Sequence, residues 1–421
     1  MNQRRVELIL YLVKWTVLAS IVGILVGSAS AFFLVSLEWA TSMQHTYTWL
    51  LFLLPFGGAL VSYTYWKYGQ NASKGNNLII EQAQGEEESV PFRMAPLVLG
   101  GTIITHLFGG SAGREGTAVQ MGGAFSELVA KVCKLDKIDR KIILICGISS
   151  GFGSVFGTPL AGTIFALEVL AIGMIRHEAL FPSFVAACIG NIVTVAWGVG
   201  HHPYDIGDVP VFSWLLVMKV VLAAILFGLT SRVFSGLTHW MKRGFVKLFV
   251  HPVWRSFVGG VLFVLLTLLI GTRDYTGLGI PLIDQAFDGT VATFAFLMKL
   301  FFTALTLGAG YQGGEVTPLF VIGSSLGSTL GSYLDVSIPF LAALGFIGVF
   351  CSATSTPIAC FIMGIELFGS EAAIYFFLVC IISYVCSGHT GIYTSQQIGV
   401  SKRKAVRAKE YDTIYPIRQN K

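Results

Sequence analysis

Two glutamates stand in glycine-rich surroundings 200 positions apart, each just ahead of a long apolar stretch. Glu115 lies in GGSAGREGTAVQMGG (109–123) and Glu315 in GYQGGEVTPLFVIG (310–323). Arg114 and Glu115 are the only charges between Arg93 and Glu127. Glycine lets a backbone come close to a ligand. A helix that starts after such a stretch offers about four unpaired N–H groups and a partial positive charge, which together favour an anion. Gly113, Arg114, Gly116 and Thr117 mark one such helix start, and Val316 and Thr317 the other. Pro318 suits a first helical turn, where its missing N–H costs nothing. Two such termini, one from each segment, are expected to face a single anion. A glutamate beside them can occupy the anion's own place as a tethered carboxylate and leave when protonated. Such a group couples proton movement to anion movement.

The plainer reading, that Glu115 and Glu315 only cap helices, would hold for a soluble protein. This chain is not one. Of its 421 residues 54% are hydrophobic and only 12% charged, against about a quarter charged in soluble domains. Charge-free runs cover 15–37, 39–66, 94–113, 142–167, 179–204, 256–272, 336–365 and 372–401, each near or beyond the roughly 20 residues that span a bilayer as helix. Segments of about ten residues with strand-period alternation, the mark of a membrane β-barrel, are absent. The sequence therefore implies an all-α polytopic membrane protein. In hydrocarbon an ionisable side chain costs roughly 2.5–3.5 kcal/mol on insertion scales and is a functional candidate by default. Glu168 and Glu366 differ from the first pair. Each sits late in a helix after Thr-Pro, and a structural, hydrogen-bonded role is expected for both.

The first apolar run follows Arg4 and Arg5 without a small-residue cleavage site and reads as a retained helix. Seven scattered cysteines, mostly inside apolar runs and without a CxxC pair, read as small core residues. The eight histidines, among them the loop pair His201-His202, form no metal-ligand spacing, and neither a metal nor a cofactor is expected. The net charge of +5 comes from basic clusters at the N-terminus, 131–141, 242–255 and 402–409. It is not a nucleic-acid signal, and the positive-inside rule places both termini in the cytoplasm.

The chain repeats itself. Gly110, Gly113, Glu115, Thr117 and Gly123 recur as Gly310, Gly313, Glu315, Thr317 and Gly323, displaced by 200. TPLAGTIFALE (158–168) matches TPIACFIMGIE (356–366), and IIEQA (79–83) resembles LIDQA (282–286), at nearly the same offset. Such ordered matches indicate two homologous halves, 70–200 and 275–400. An N-terminal helical pair (1–69), connector helices (201–274) and a basic cytoplasmic tail (401–421) complete the chain. Glycines at 109–110, 113, 116, 151, 153 and 157 with Pro159, and in the second half Gly308, Gly310, Gly313-Gly314, Pro318 and Pro357, are expected to break helices at membrane depth. Breaks at matching positions of two halves point to a transport site.

Together GREGTAVQMG, TPLAGTIFALE and GGEVTPLF resemble the CLC chloride channels and anion/proton antiporters over almost the whole chain. The resemblance implies a fold of two inverted helical repeats with broken and re-entrant helices. It also implies a homodimer with a pore in each subunit, and Glu115 as the gating glutamate. The family's usual upstream G-S-G-I-P stretch, whose serine contacts the central anion, is replaced by KGNNLIIEQ, so Asn76 takes the serine's place. GLGIP at 277–281 lies after the glutamate and reads as a decoy. Thr117 replaces the usual proline, and GGEVTP and Tyr393 in GIYTSQQ complete a set that resembles the family's bacterial, fluoride-specific branch. The resemblance thus implies a fluoride/proton antiporter in the inner (plasma) membrane of a bacterium, with a chloride channel or chloride/proton exchanger as the alternative.

Fluoride is small and strongly hydrated, so its dehydration must be met by compact donors. Asn76 offers two N–H donors where serine offers one O–H, and Thr317 and the Tyr393 phenol could supply more. Proton-coupled relatives carry an inner glutamate one residue beyond the place of Glu168. Val169 stands there, so the proton is expected to pass through Glu315 or Thr317. An intramembrane enzyme would need a nucleophile–base pair or metal ligands, and none is evident. A cation-coupled symporter would not need two anion cradles.

Overall fold

The computed structural model describes residues 2–86, 88–201 and 204–402. The tail expected over 401–421 lies outside them from residue 403 onward, as does His202.

The chain is helical. From the N-terminus to the middle run α1 (Asn2–Thr46), α2 (Leu54–Thr64), α3 (Asn76–Gln84), α4 (Met94–Leu107), α5 (Glu115–Val132), α6 (Lys137–Phe156), α7 (Pro159–Glu168) and α8 (Leu180–Ala196). There follow α9 (Trp214–Leu248), α10 (Pro252–Ile270), α11 (Ile280–Phe287), α12 (Ala295–Gly308), α13 (Val316–Leu334), α14 (Ile338–Thr354), α15 (Pro357–Phe368) and α16 (Ala373–Ser387). Among the described residues the one sheet is a two-residue parallel pair, β1 (Ala171–Ile172) beside β2 (Gln397–Ile398).

Among the described residues, five stretches are long and apolar enough to cross a membrane: Arg4–Thr46, Thr48–Gln84, His177–Ala196, α9 and α10. Others are too short. At about 1.5 Å per residue, the ten residues of α7 cover about half of a hydrocarbon core. The run 142–167, long enough for one span, is in fact two helices. Gly157 ends α6 in the left-handed region (φ 71°), and Pro159 opens α7. The run 336–365 divides the same way, with Ser355 (φ 59°) closing α14 and Pro357 opening α15.

Not every expected break occurs. Gly116 lies inside α5, Gly151 and Gly153 inside α6, and Pro318 in the first turn of α13, all without interrupting the helix. Their smallness serves packing instead. A Cβ on Gly151 would come within 2.6 Å of the Ala118 carbonyl oxygen of α5. Gly122 faces Gly147 across α5 and α6, and Gly323 faces Gly345 across α13 and α14, with no room for a side chain between them. Close small-residue contact is how helices pack where lipid removes the hydrophobic driving force.

Two sets of contacts are reciprocal. Gly113 and Gly314 form an antiparallel bridge, each N–H donating to the other's carbonyl at 2.6 and 2.8 Å. Glu168, ending α7, accepts from the Ile358 and Ala359 N–H groups that open α15 (3.3 and 2.9 Å). Glu366 of α15 accepts from Leu160 and Ala161 of α7 (2.9 and 2.7 Å). Each helix caps the start of the other, the structural role expected for both glutamates. Such an exchange requires α7 and α15 to run antiparallel, as the matching segments of inverted repeats do. The architecture is therefore all-α, with two inverted repeats and broken helices. Its interior is lined by stacked rings, Phe152 on Phe165 at 4.2 Å and Phe320 on Phe346 at 3.9 Å between centroids.

Candidate functional site

The antiparallel bridge between Gly113 and Gly314 sets the starts of α5 and α13 side by side. Glu115 is the first residue of α5, yet its side chain does not cap its own helix alone. Its Oε1 accepts from the Val316 N–H at 2.5 Å, and its Oε2 accepts from the Thr317 hydroxyl at 2.7 Å and the Arg114 N–H at 3.1 Å. The carboxylate of one repeat thus sits on the helix N-terminus of the other, 1% exposed. Bonds to a charged acceptor are worth about 1.5–3 kcal/mol each, which offsets part of the cost of burying the charge. Any other anion in this place would meet the same donors.

Gly314 must lack a side chain, because its Cβ would fall on the Glu115 carboxylate and within 2.9 Å of the Gly116 N. Gly113 is constrained likewise, with Glu115 Oε1 at 2.7 Å and the Pro318 ring at 2.9 Å from a Cβ there. Beside Gly116 lies the amide of Asn76, whose Nδ2 is 3.0 Å from where a Gly116 Cβ would stand. Asn76 opens α3 behind Gly75, which adopts φ 59°. α3 is tied to α5 by the Gln82 Nε2, which donates to Glu127 at 2.8 Å. Asn76, Tyr393, Val119, Ile148, Phe165 and Val169 line a cavity of about 10 Å³. That is the room one water-sized sphere needs. Tyr393 is buried, its ring edge-on to Phe165 at 6.5 Å.

The structure thus gathers Glu115, Gly113, Gly116, Val316, Thr317 and Asn76 closely, with Tyr393 across the small cavity from Asn76. One expected ligand stands apart, and another takes part only through its backbone. The Thr117 hydroxyl pairs with that of Thr102 on α4 at 2.7 Å, turned from the carboxylate by the helical rotation between the two residues. Arg114 contributes its backbone N–H, while its Nε is buried without a hydrogen-bond partner among the described residues. Glu315 stands immediately before α13, and its carboxyl feels the charges of Lys242 and Glu115. Lys242 is exposed near the end of α9.

Sequence reasoning missed Gln120 and Lys299. Gln120, 6% exposed, lies beside Gly75 with its Oε1 unpartnered among the described residues. Its signal is a lone amide inside the apolar TAVQMGGAF. Fully buried Lys299 donates to the Gly277 and Tyr275 carbonyls at 2.7 and 3.3 Å, anchoring the GLGIP segment. A lysine inside an apolar helix is the signal that could have found it.

The family model described as voltage gated chloride channel matches residues 57–388. The chain is 47% identical over 405 residues to a chloride/fluoride channel protein of Pseudomonas syringae pv. tomato, covering 94% of this chain and 89% of that one. It is 24% identical over 387 residues to an H(+)/Cl(-) exchange transporter of Vibrio campbellii, covering 83% of this chain and 81% of that one. Among solved structures, a CLC-type fluoride/proton antiporter superposes with a TM-score of 0.89 at 36% identity, over 91% of this chain and 98% of the other. A slow cyanobacterial Cl-/H+ antiporter shares the fold, with a TM-score of 0.77 at 20% identity over 89% and 94% of the two chains.

Proposed function

The chain belongs to the voltage-gated chloride channel (CLC) family, and from that membership we propose that it is a fluoride/proton antiporter, exporting fluoride in exchange for protons. The observation that carries the reading is the Glu115 carboxylate seated on the α13 N-terminus. There it competes with a transported anion for the same donors, and protonation weakens its hold. Fluoride then takes the carboxylate's place, and the protonated side chain delivers its proton on the opposite half of the cycle.

Asn76 and Tyr393, the two polar residues lining an otherwise apolar, water-sized cavity, support fluoride over chloride together with the Thr317 hydroxyl, since so small a space suits the smaller ion. Arg114, Gly113, Gly116 and Thr117 belong to the helix start that frames the anion. Glu315, which feels the charges of both Glu115 and exposed Lys242, is our candidate with Thr317 for the proton path, as Val169 offers no carboxyl. The test is efflux from liposomes holding purified protein, read with fluoride and chloride electrodes. Equal fluxes of the two ions would replace this reading with a chloride channel or exchanger.

We read 70–200 and 275–400 as the two halves, with 1–69 and 201–274 flanking and connecting them. The reciprocal bonds of Glu168 and Glu366 support this division. We place the protein in a bacterial inner membrane with both termini in the cytoplasm. The basic residues at the start of α1 and in 131–141 support that orientation, and the Lys14–Asp139 ion pair ties α1 to the 131–141 segment.

We also infer a homodimer. An apolar groove of about 750 Å³, lined by Leu160, Ile164, Phe181, Phe184, Ile362 and Ile365, runs along α7, α8 and α15 and suits a second copy. Cross-linking in native membranes should trap a dimer. A monomer with full transport would overturn the assignment.

A further inference from the structure

We propose that Ser395 is a positioning residue that holds the Tyr393 segment against α3 and thereby fixes the spacing between the Tyr393 phenol and the Asn76 amide. This rests on the reading of Asn76 and Tyr393 as fluoride donors and extends it to residues that touch no ion.

Three side chains of α3 converge on Ser395. Asn77 Oδ1 accepts from the Ser395 N–H at 3.0 Å, Glu81 Oε1 accepts from the Ser395 hydroxyl at 2.6 Å, and Gln84 Nε2 donates to the Ser395 carbonyl at 3.0 Å. Positions 77, 81 and 84 follow one another at four and three residues, so they form one stripe along a helix face. Every polar group of Ser395 is thereby bonded to that stripe. Glu81 is itself held, its Oε2 accepting from Lys74 at 3.1 Å. Asn76 directly precedes the first residue of the stripe, and Tyr393 lies two residues before Ser395.

The other side of the segment is fixed to different helices. The Ile392 N–H donates to the Ala353 carbonyl at 3.0 Å, and Gln396 Nε2 donates to the Val169 and Thr354 carbonyls, each at 3.0 Å. Tyr393 therefore lies between two anchor points, and Ser395 is the one that refers it to α3. Hydrogen bonds weaken steeply as distance and angle depart from ideal, so donors must be held to about half an ångström. A small, strongly hydrated anion is more sensitive to a widened gap between its donors than a larger one. Loosening the bracket should therefore cost fluoride preference before it costs transport.

The experiment compares fluoride and chloride efflux from liposomes for the full chain and for Ser395→Ala, Ser395→Thr, Glu81→Gln and Glu81→Leu. Ser395→Ala removes one hydroxyl bond to a charged acceptor and should lower the fluoride-to-chloride flux ratio about tenfold. Ser395→Thr keeps the hydroxyl, and Glu81→Gln keeps an acceptor for it, so both should retain most of the ratio. Glu81→Leu should behave like Ser395→Ala, and it tests the same bond should the alanine variant fail to fold. In an Asn76→Ser background, Ser395→Ala should lower the ratio little further, because the Asn76 amide whose spacing from the Tyr393 phenol it fixes is already gone.

An unchanged ratio in Ser395→Ala, an equal loss in Ser395→Thr, or losses that simply multiply in the double variant would each overturn the proposal. If the unmutated chain moves both ions equally, the fluoride reading fails separately. The bracket is then judged on chloride flux alone, which must fall in Ser395→Ala and hold in Ser395→Thr, or the proposal falls as well.

Discussion

Liposomes carrying Glu115→Gln protein are expected to show no proton movement against a gradient when fluoride is supplied, down to the level of empty vesicles. The reason is both electrostatic and geometric. The Glu115 carboxylate accepts from the Val316 N–H, the Thr317 hydroxyl and the Arg114 N–H. An amide offers one acceptor and two donors in the same volume. If its oxygen keeps the Val316 bond, its NH₂ group faces the Arg114 N–H, donor against donor, and only the Thr317 hydroxyl can rotate to accept. The side chain thus loses charge-assisted bonds worth about 1.5–3 kcal/mol each, and it has no titratable proton to carry. Anion passage without proton coupling is compatible with this account. Uphill proton movement in the Glu115→Gln variant is not, and a pH electrode outside the vesicles would record it.

Asn76→Ser is expected to narrow the preference for fluoride over chloride by about tenfold to a hundredfold, the equivalent of one bond of about 1.5–3 kcal/mol to a charged acceptor. Asn76 stands at the start of α3 and lines the water-sized cavity together with Tyr393. Its Oδ1 is buried without a partner among the described residues, which costs about 1–3 kcal/mol in a folded protein. A side chain held at that cost is consistent with a site that uses its N–H groups. Serine is shorter and brings one donor, leaving more room and less compensation for dehydration, so chloride should gain while fluoride loses. Paired efflux measurements with ion-selective electrodes decide it. A ratio unchanged by the substitution would remove Asn76 from the selectivity mechanism and leave Thr317 and the helix termini to account for it.

The sequence by itself determined the class of protein and the local grammar of its site. Composition and charge-free runs require membrane helices, because an unpaired charge or backbone group in hydrocarbon is too costly to leave bare. The glycines before Glu115 and Glu315, and Pro159, Pro318 and Pro357 in first turns, mark helix starts within a few residues of where they occur, since capping and backbone freedom are local. The offset of 200 shows that two segments share a design. The proposed preference for fluoride rests, at the level of sequence, on the likeness of GNN, GREGT and GGEVTP to a known branch of a family, as no local rule converts Asn76 into a choice of ion.

Tertiary structure decided which partners meet. Nothing within a window of sequence tells that the Glu115 carboxylate rests on Val316 and Thr317 of the other repeat, about two hundred residues away, or that Glu168 and Glu366 exchange helix starts. Likewise the Thr117 hydroxyl, two residues from Glu115, belongs to Thr102, because each helical residue turns the side-chain direction by about 100°. Gly151 and Gly153, which look like breakers in isolation, are spacers once α5 and α7 pack against α6. The bracket at Ser395 joins residues more than three hundred positions apart. Hydrogen bonds reach only about 3 Å, so their pairing is fixed by how the inverted repeats fold onto each other.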